Sequence, residues 1–212
     1  MTRRQTALST SRCGPLGICR VGILDLSQQR IRTMAEETKI KRSVFVERLP
    51  ALSNSRWGGI KKKEGDKLVA DILKGGMDAV RELIDGLKEV DSGEDWQERL
   101  LLHQLATHCS VPARANDRKI LTELYASVAL GDRPGTVRSF LLQQLRYVAG
   151  ASLAPSLAPL LKDDDPLVLD AVTAVMVSMG SATEKILEGA RKDAQGHAKV
   201  AITHALGQLS RK

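Results

Sequence analysis

The residue types best suited to chemistry in the C-terminal two thirds of the chain are four histidines and one cysteine. They are His103, His108, Cys109, His197 and His204. His197 and His204 share a helix face but lie about two turns apart, too far for one metal ion. His103 and His108, five residues apart, do not face each other well, and adjacent helix positions such as 108 and 109 point apart. We therefore expect no metal centre and interpret Cys109 as a buried structural thiol.

No catalytic motif accompanies these residues. The sequence has no H-E-x-x-H, no Walker A loop, no G-x-S-x-G and no cysteine pair at zinc spacing. The acidic run Asp163–Asp165 could suggest a cation site, but a solvated turn explains it, with Asp165 as the N-cap of a helix that begins at Pro166. We expect no cofactor and predict that the chain is not an enzyme.

The elements that would position these residues are short amphipathic helices. The clearest is 134–150, in which apolar residues recur at steps of three and four and include Val137, Leu141 and Leu145. Further helices are predicted over 66–74, 77–90, 96–109, 117–130, 152–161, 167–179, 184–192 and 197–209. We expect Asp95 to cap the third of these and Ser181, with Glu184, to form a capping box. No convincing strand is found, which predicts an all-α fold.

Positive charge is concentrated in the first 63 residues. They hold 14 Lys and Arg against four Asp and Glu, a net charge of +10, whereas 64–212 has a net charge of −3. We divide the chain accordingly into a disordered or weakly structured basic leader, 1–63, and a helical body, 64–212. The mildly acidic body argues against a DNA-binding enzyme of the helical-repeat glycosylase type, because such a fold would bind DNA on a basic face.

The first 33 residues admit three interpretations. They are rich in arginine and serine and poor in acids, which is typical of an organelle transit peptide. Arg3 and Arg4 precede a mildly apolar stretch, which would suit a secretion signal, although Arg20 interrupts it. The interpretation that we favour is an upstream extension, with Met34 as the start of the native protein.

The second part of the leader, 34–63, could contact a partner directly. Phe45 or Trp57 could anchor a docking peptide, and the lysines and arginines of this basic arm could contact the phosphates of a nucleic acid. A flexible tail with solvated charges is the simpler interpretation. Trp96, beside Asp95 at a predicted helix start, could stack on a ligand, but packing at the helix start explains it better.

Cysteine usage and hydropathy bear on the compartment. The three cysteines, Cys13, Cys19 and Cys109, form no disulfide framework, so we predict a reducing, cytoplasmic setting. No run of about 18 apolar residues occurs, so no membrane-spanning helix is expected.

The predicted helices repeat as pairs. Glu98, Val137, Val168 and Ala198 occupy matching positions in four helices and are spaced 39, 31 and 30 residues apart. A shorter helix precedes each of the four. A helix pair that recurs at this period predicts an α-solenoid.

The repeat resembles HEAT-like repeats of the short, phycobilisome bilin-lyase type. The second helix of that family tends to read V-R-x-x-A-x-x-A-L-G, and the best local match is Ala198–Gly207; Val137-Arg138 matches its start. The resemblance covers about 66–209 and implies a right-handed armadillo-type solenoid. It also implies that Asp and Arg side chains tie neighbouring repeats together, here a row of Arg99, Arg138 and Lys199 and a row of turn acids, Asp95, Asp132 and Asp165.

Three functions are consistent with these patterns. We favour a protein–protein interaction scaffold that binds a protein partner on the solenoid surface, with Arg99, Arg138, Lys199, Trp57 and Trp96 as candidate binding residues. The first alternative is nucleic-acid binding through the basic arm 34–63. The second is an enzyme subunit related to bilin lyases, for which no distinctive residue is found.

Overall fold

A computed structural model describes residues 43–49, 62–89 and 93–211. By internal contacts the chain forms two units, Met1–Ile40 and Lys41–Lys212, and all the described residues belong to the second. Within the described ranges every regular element is helical and no strand occurs, which confirms the all-α prediction. The predicted contacts of Trp57, and the three interpretations of 1–33, lie outside the described residues.

The helices alternate with short turns along the chain. The connections of the described residues contain four short 3-10 segments, Pro112–Arg114, Ala151–Leu153, Ala158–Lys162 and Gly180–Thr183. The α-helices of the described residues are α1 Val44–Glu47, α2 Lys62–Lys74, α3 Gly76–Asp85, α4 Trp96–Cys109, α5 Ala115–Ala129, α6 Gly135–Val148, α7 Ala154–Leu157, α8 Pro166–Met179, α9 Glu184–Asp193 and α10 Gly196–Leu209.

Alternate helices pack against one another in series. Helix α4 contacts α6, α6 contacts α8, and α8 contacts α10. Helix α5 lies against α4 and α6, and α9 lies against α10, so each long helix of the series is accompanied by a neighbour in sequence. Helix α6 is therefore buried on more than one side, because α4, α5 and α8 all pack against it.

The core is built from the apolar stripes of these helices. Val137, Leu141 and Leu145 of α6 are fully buried, as the helical spacing predicts. Leu142 is buried as well, on the second covered side of the helix. Each fully buried leucine contributes about 1.5–3 kcal/mol relative to an exposed one, so this stripe holds α6 at the centre of the body.

Helix α8 begins and ends where the sequence predicts. The Asp165 carboxylate accepts a hydrogen bond from the Leu167 N–H over 2.8 Å, and Pro166 takes the first helical position. Gly180 ends the helix with a φ of 80°, a conformation that glycine adopts without the steric cost of a Cβ. Gly135 approaches this N-cap so closely that a Cβ there would lie 1.5 Å from Asp165 Oδ2.

Two predicted caps are wrong. Asp95 precedes α4 but makes no side-chain cap, because its carboxylate instead accepts hydrogen bonds from the Lys88 N–H and from Arg99. Ser181 lies inside a 3-10 turn and does not cap α9. In the same turn Thr183 is buried, and its hydroxyl donates to the carbonyl oxygens of Met176 and Gly180.

Two helix predictions need correction in length. Helix α3 ends at Asp85 rather than at Val90, and the chain turns at Gly86. The predicted helix 152–161 is a 3-10 turn, the single-turn helix α7 and a second 3-10 turn. Pro155 and Pro159 each lie in the first two positions of a new segment. Proline is tolerated there because the backbone N–H that it lacks would have no partner within the segment.

Part of the predicted leader belongs to the folded body. Residues 43–49, assigned to a disordered or weakly structured segment, contain helix α1, which contacts α4. Val46 and Leu49 are buried in the same core as the later helices. Helix α2 also begins inside the leader, at Lys62, so the boundary at residue 63 is not where folded structure begins.

Candidate functional site

Arg138 ties three parts of the body together. Its Nε donates to the carbonyl oxygen of Ala129, the last residue of α5, over 2.9 Å. Its Nη2 lies 2.5 Å from Asp163 Oδ2, in the turn before α8. Because the two charged side chains are only 14% and 16% exposed, Arg138 is used inside the fold and offers little to a partner. Its acidic partner is Asp163 rather than the predicted turn acid Asp165.

Arg99 lies between α4 and α6. Its Nε donates to Asp95 Oδ2 over 2.9 Å, and its guanidinium carbon lies 4.9 Å from the centre of the Phe140 ring. Burial raises the pKa of Asp95, but the hydrogen bonds from Arg99 and from the Lys88 N–H, together with the Arg99 charge, hold that pKa below its usual value. The guanidinium is therefore fixed over the aromatic face of Phe140.

His103 continues the same side of α4 one turn later. Its Nδ1 lies 2.9 Å from Gln144 Oε1, and the Gln144 amide donates to the Phe140 carbonyl oxygen. Because Gln144 Oε1 can only accept, His103 Nδ1 carries the hydrogen, and in the neutral ring Nε2 is then the acceptor. The His103 ring meets Tyr147 edge to face, with 5.3 Å between the ring centres.

These four side chains form one surface, which we call the α4–α6 face: Arg99, His103, Phe140 and Tyr147. Tyr147 is its most accessible member, at 50% exposure. Phe140 and Tyr147 are seven residues apart on α6, and Arg99 and His103 are four apart on α4, so the two pairs lie along facing sides of adjacent helices. The face presents aromatic rings whose neighbours are already fixed by hydrogen bonds.

A polar contact joins the next two long helices. His197 Nε2 of α10 lies 2.8 Å from Asp170 Oδ1 of α8, and both side chains are about half exposed. Leu167, three residues before Asp170 on α8, is also exposed. His103 therefore links α4 to α6 through Gln144, and His197 links α8 to α10 through Asp170. The two contacts are separate and have no residue in common.

The residues of the predicted basic row have different surroundings. Arg99 and Arg138 are held in different ion pairs, whereas Lys199 lies exposed on α10 with no ion pair among the described residues. The predicted turn acids differ as well: Asp95 is buried, Asp165 caps α8 and Asp132 is exposed. Trp96 is half-buried at the start of α4.

Arg133 is a connecting residue that the sequence analysis missed. Its Nη2 donates to the carbonyl oxygens of Ile84 and Leu87, each over 3.2 Å, at the end of α3. The Thr136 hydroxyl donates to the Glu89 carbonyl oxygen close by. No local pattern marks these contacts, since their acceptors are backbone carbonyls more than 45 residues upstream.

The Cys109 thiol is fully buried, as predicted. Burial and the nearby Asp117 charge raise its pKa to about 11, so the thiol remains protonated at neutral pH and is a poor nucleophile. Tyr125, also fully buried, donates from its hydroxyl to the Leu102 carbonyl oxygen over 2.9 Å. Among the described residues no group of three His, Cys, Asp or Glu side chains could hold a metal ion.

The stretch Pro166–Asp193 is long and apolar enough, by length and composition alone, to cross a membrane. The α8 part of this stretch has Val168, Val172 and Met176 fully buried against neighbouring helices. The central helix of a folded helical domain has the same composition, so the stretch is weak evidence for a membrane span.

Comparison of the chain with protein-family models, with curated proteins and with solved structures finds no match in any of the three.

Proposed function

We propose that the chain is a non-enzymatic helical-repeat scaffold that binds a protein partner through the α4–α6 face. In this proposal the body is a right-handed, HEAT-like solenoid of the armadillo type, in which α4, α6, α8 and α10 are the second helices of successive repeats. The serial contacts of these helices support the arrangement. So does Arg138, which links its own helix to the preceding helix and to the following turn.

The observation that carries the proposal is the half-exposed Tyr147 ring, held edge to face by His103. Tyrosine and arginine are enriched at the centres of protein interfaces because they combine a large apolar area with a polar end. Tyr147 supplies both properties, while Phe140 and Arg99, whose side chain is 17% exposed, pack against each other on the same surface.

Pre-ordering strengthens the case for binding. Immobilising a flexible side chain at an interface costs about 0.5–1.5 kcal/mol, and this cost is subtracted from the affinity. Gln144 already fixes His103, and Asp95 already fixes Arg99. The partner expected here is a protein segment that offers an apolar side chain to the Tyr147 ring and a hydrogen-bond acceptor beside it.

The proposed setting is a reducing compartment such as the cytoplasm. The raised pKa of the buried Cys109 thiol suits a cysteine that stays reduced and unreactive there. The nucleic-acid alternative receives no support from the described residues, because only 43–49 and 62–63 of the basic arm are among them.

The proposal is tested by placing a photo-crosslinking amino acid at position 147 of the full chain. A matched chain carries the crosslinker at position 120, because Ile120 is similarly exposed but lies on α5. After irradiation in the cell that makes the protein, mass spectrometry identifies what is attached at each position. A protein attached at 147 and not at 120 supports the proposal.

Two results would count against it. If both positions capture the same set of proteins, the α4–α6 face has no selectivity. If position 147 captures nucleic acid in place of protein, the partner class is wrong.

A further inference from the structure

The last described helix has one covered face and one open face. Ile202, Ala205 and Leu209 of α10 are buried against the body, chiefly by contacts with α8 and α9. The open face follows the helical spacing of three and four residues. We call it the α10 stripe: it contains Val200, Thr203, His204, Gly207 and Gln208, with Lys199 at one end and Arg211, just beyond the end of α10, at the other.

An apolar centre runs along the α10 stripe. Val200 is 68% exposed, which makes it the most exposed large hydrophobic side chain among the described residues. About two turns further along the helix, a Cβ added at Gly207 would meet no atom within 4 Å apart from the neighbouring backbone of its own helix. Together they line a shallow depression in which a partner helix could approach the backbone of α10 closely.

The charge beside this centre is positive only. Lys199 and Arg211 line the same depression, at its two ends, and neither has an ion pair among the described residues. The two residues are 12 positions apart in the sequence, and Arg211 lies two residues beyond the last residue of α10. His204 lies between them with Gln208 as its hydrogen-bond partner, and no acidic side chain lines the depression.

This charge pattern selects among the occupants. A second copy packed antiparallel on the α10 stripe would set Lys199 of one copy near Arg211 of the other, and like charges repel. Charge also disfavours the leader of the same chain as the occupant, because residues 1–63 have a net charge of +10. A nucleic acid would meet only two full charges and no aromatic ring for a base to stack on.

We propose that the α10 stripe is a docking site for an acidic amphipathic helix of a protein partner. Acidic side chains near both ends of that helix would pair with Lys199 and Arg211, and its apolar seam would cover Val200 and the gap at Gly207. This surface is separate from the α4–α6 face.

The test uses the full chain and a labelled peptide probe in fluorescence anisotropy. The probe is a stapled helical peptide of roughly 18 residues, long enough to span the α10 stripe, with leucine and alanine along one side and glutamates along its flanks. A second peptide has lysines in place of the glutamates. We expect the acidic peptide to bind. The affinity of the basic peptide should be lower by at least roughly ten-fold, because its charges repel Lys199 and Arg211.

Variants locate the binding on the chain. Lys199→Glu with Arg211→Glu should weaken the acidic peptide roughly ten-fold and should allow the basic peptide to bind. The matched control is Lys119→Glu with Lys185→Glu, which makes the same change in net charge at exposed positions away from the α10 stripe. The control should stay within roughly two-fold of the parent chain. Val200→Asp, at an exposed position that does not hold the fold together, should weaken the acidic peptide as well.

Three results would overturn the proposal: no binding of the acidic peptide, an equal loss of binding in the control variant, or no gain of binding to the basic peptide in the Lys199→Glu, Arg211→Glu variant. So would size-exclusion chromatography showing that the parent chain self-associates and that this variant does not, which would assign the α10 stripe to a second copy. Competition by a single-stranded oligonucleotide at lower concentration than the acidic peptide would also overturn it and would assign the surface to nucleic acid. Circular dichroism of each variant establishes that it is folded, and Tyr147→Ala should leave peptide binding unchanged.

Discussion

Arg138 Nη2 lies 2.5 Å from Asp163 Oδ2, and the same guanidinium donates through Nε to the Ala129 carbonyl oxygen. One side chain therefore joins α6 to the end of α5 and to the turn that leads into α8. The pair is largely shielded from water, so removing the cation would leave a partly buried carboxylate without its partner.

We expect Arg138→Met to lower the free energy of unfolding by about 2–3 kcal/mol, since the lost pair leaves Asp163 uncompensated. The matched control is Arg146→Met, on the exposed side of the same helix, which should change stability by less than about 0.5 kcal/mol. Urea denaturation of both variants measures the difference. Equal effects would mean that the Arg138 contacts contribute nothing beyond an average surface arginine.

Asp95→Asn should destabilise the protein in a pH-dependent way. The pKa of Asp95 is lower in the folded protein than its usual value, so its charge stabilises the fold above about pH 4, and this contribution is lost as the pH falls through the folded-state pKa. At about pH 7 we expect a loss of about 1–2 kcal/mol, because the charged hydrogen bond to Arg99 is removed. As the pH falls below about 4, the difference between the variant and the parent chain should shrink. A constant difference across this range, measured by urea denaturation, would contradict the ionic role.

Helix α1 provides a matched pair of valines. Val46 is 1% exposed and Val44 is 53% exposed. We expect Val46→Ala to cost about 1–2 kcal/mol, from lost apolar burial and the space left behind, and Val44→Ala to cost less than about 0.5 kcal/mol. Thermal unfolding of the full-length variants provides the comparison. If Val46→Ala had no effect, residues 43–49 would not be part of the folded body.

The Cys109 thiol should be protected from alkylation. Its complete burial and its pKa of about 11 leave almost no accessible thiolate at neutral pH. Iodoacetamide treatment followed by peptide mass spectrometry, read at the Cys109 peptide alone, should find it unmodified in the native protein and modified in denaturant. Rapid labelling of Cys109 without denaturant would contradict the burial.

Local helix signals explain how much of the fold could be predicted. The sequence predicts the start of α4 at Trp96, its approximate end and the N-cap at Asp165, because periodic apolar residues and a capping acid before Pro166 are features of nearby positions. Asp95 and Ser181 carry the same signals, yet they do not cap. A carboxylate that can reach a distant N–H and an arginine has competing partners, and sequence spacing does not reveal them.

The α4–α6 face could be predicted only in part. Arg99 was singled out, but Tyr147 and His103 were not proposed as binding residues. Their relationship depends on how α4 packs against α6, 41 residues apart at His103 and Gln144. Helical periodicity within one segment contains no information about that register, and the same holds for the Arg133 contacts with the end of α3.

The most direct measurement of the central claim is the affinity of the purified partner captured at position 147. Isothermal titration would compare the parent chain, Tyr147→Ala and Ile120→Ala. If the α4–α6 face binds the partner, Tyr147→Ala should weaken binding by at least roughly ten-fold, as expected for a central aromatic anchor, and Ile120→Ala should stay within roughly two-fold. Binding of Tyr147→Ala with the affinity of the parent chain would contradict the claim.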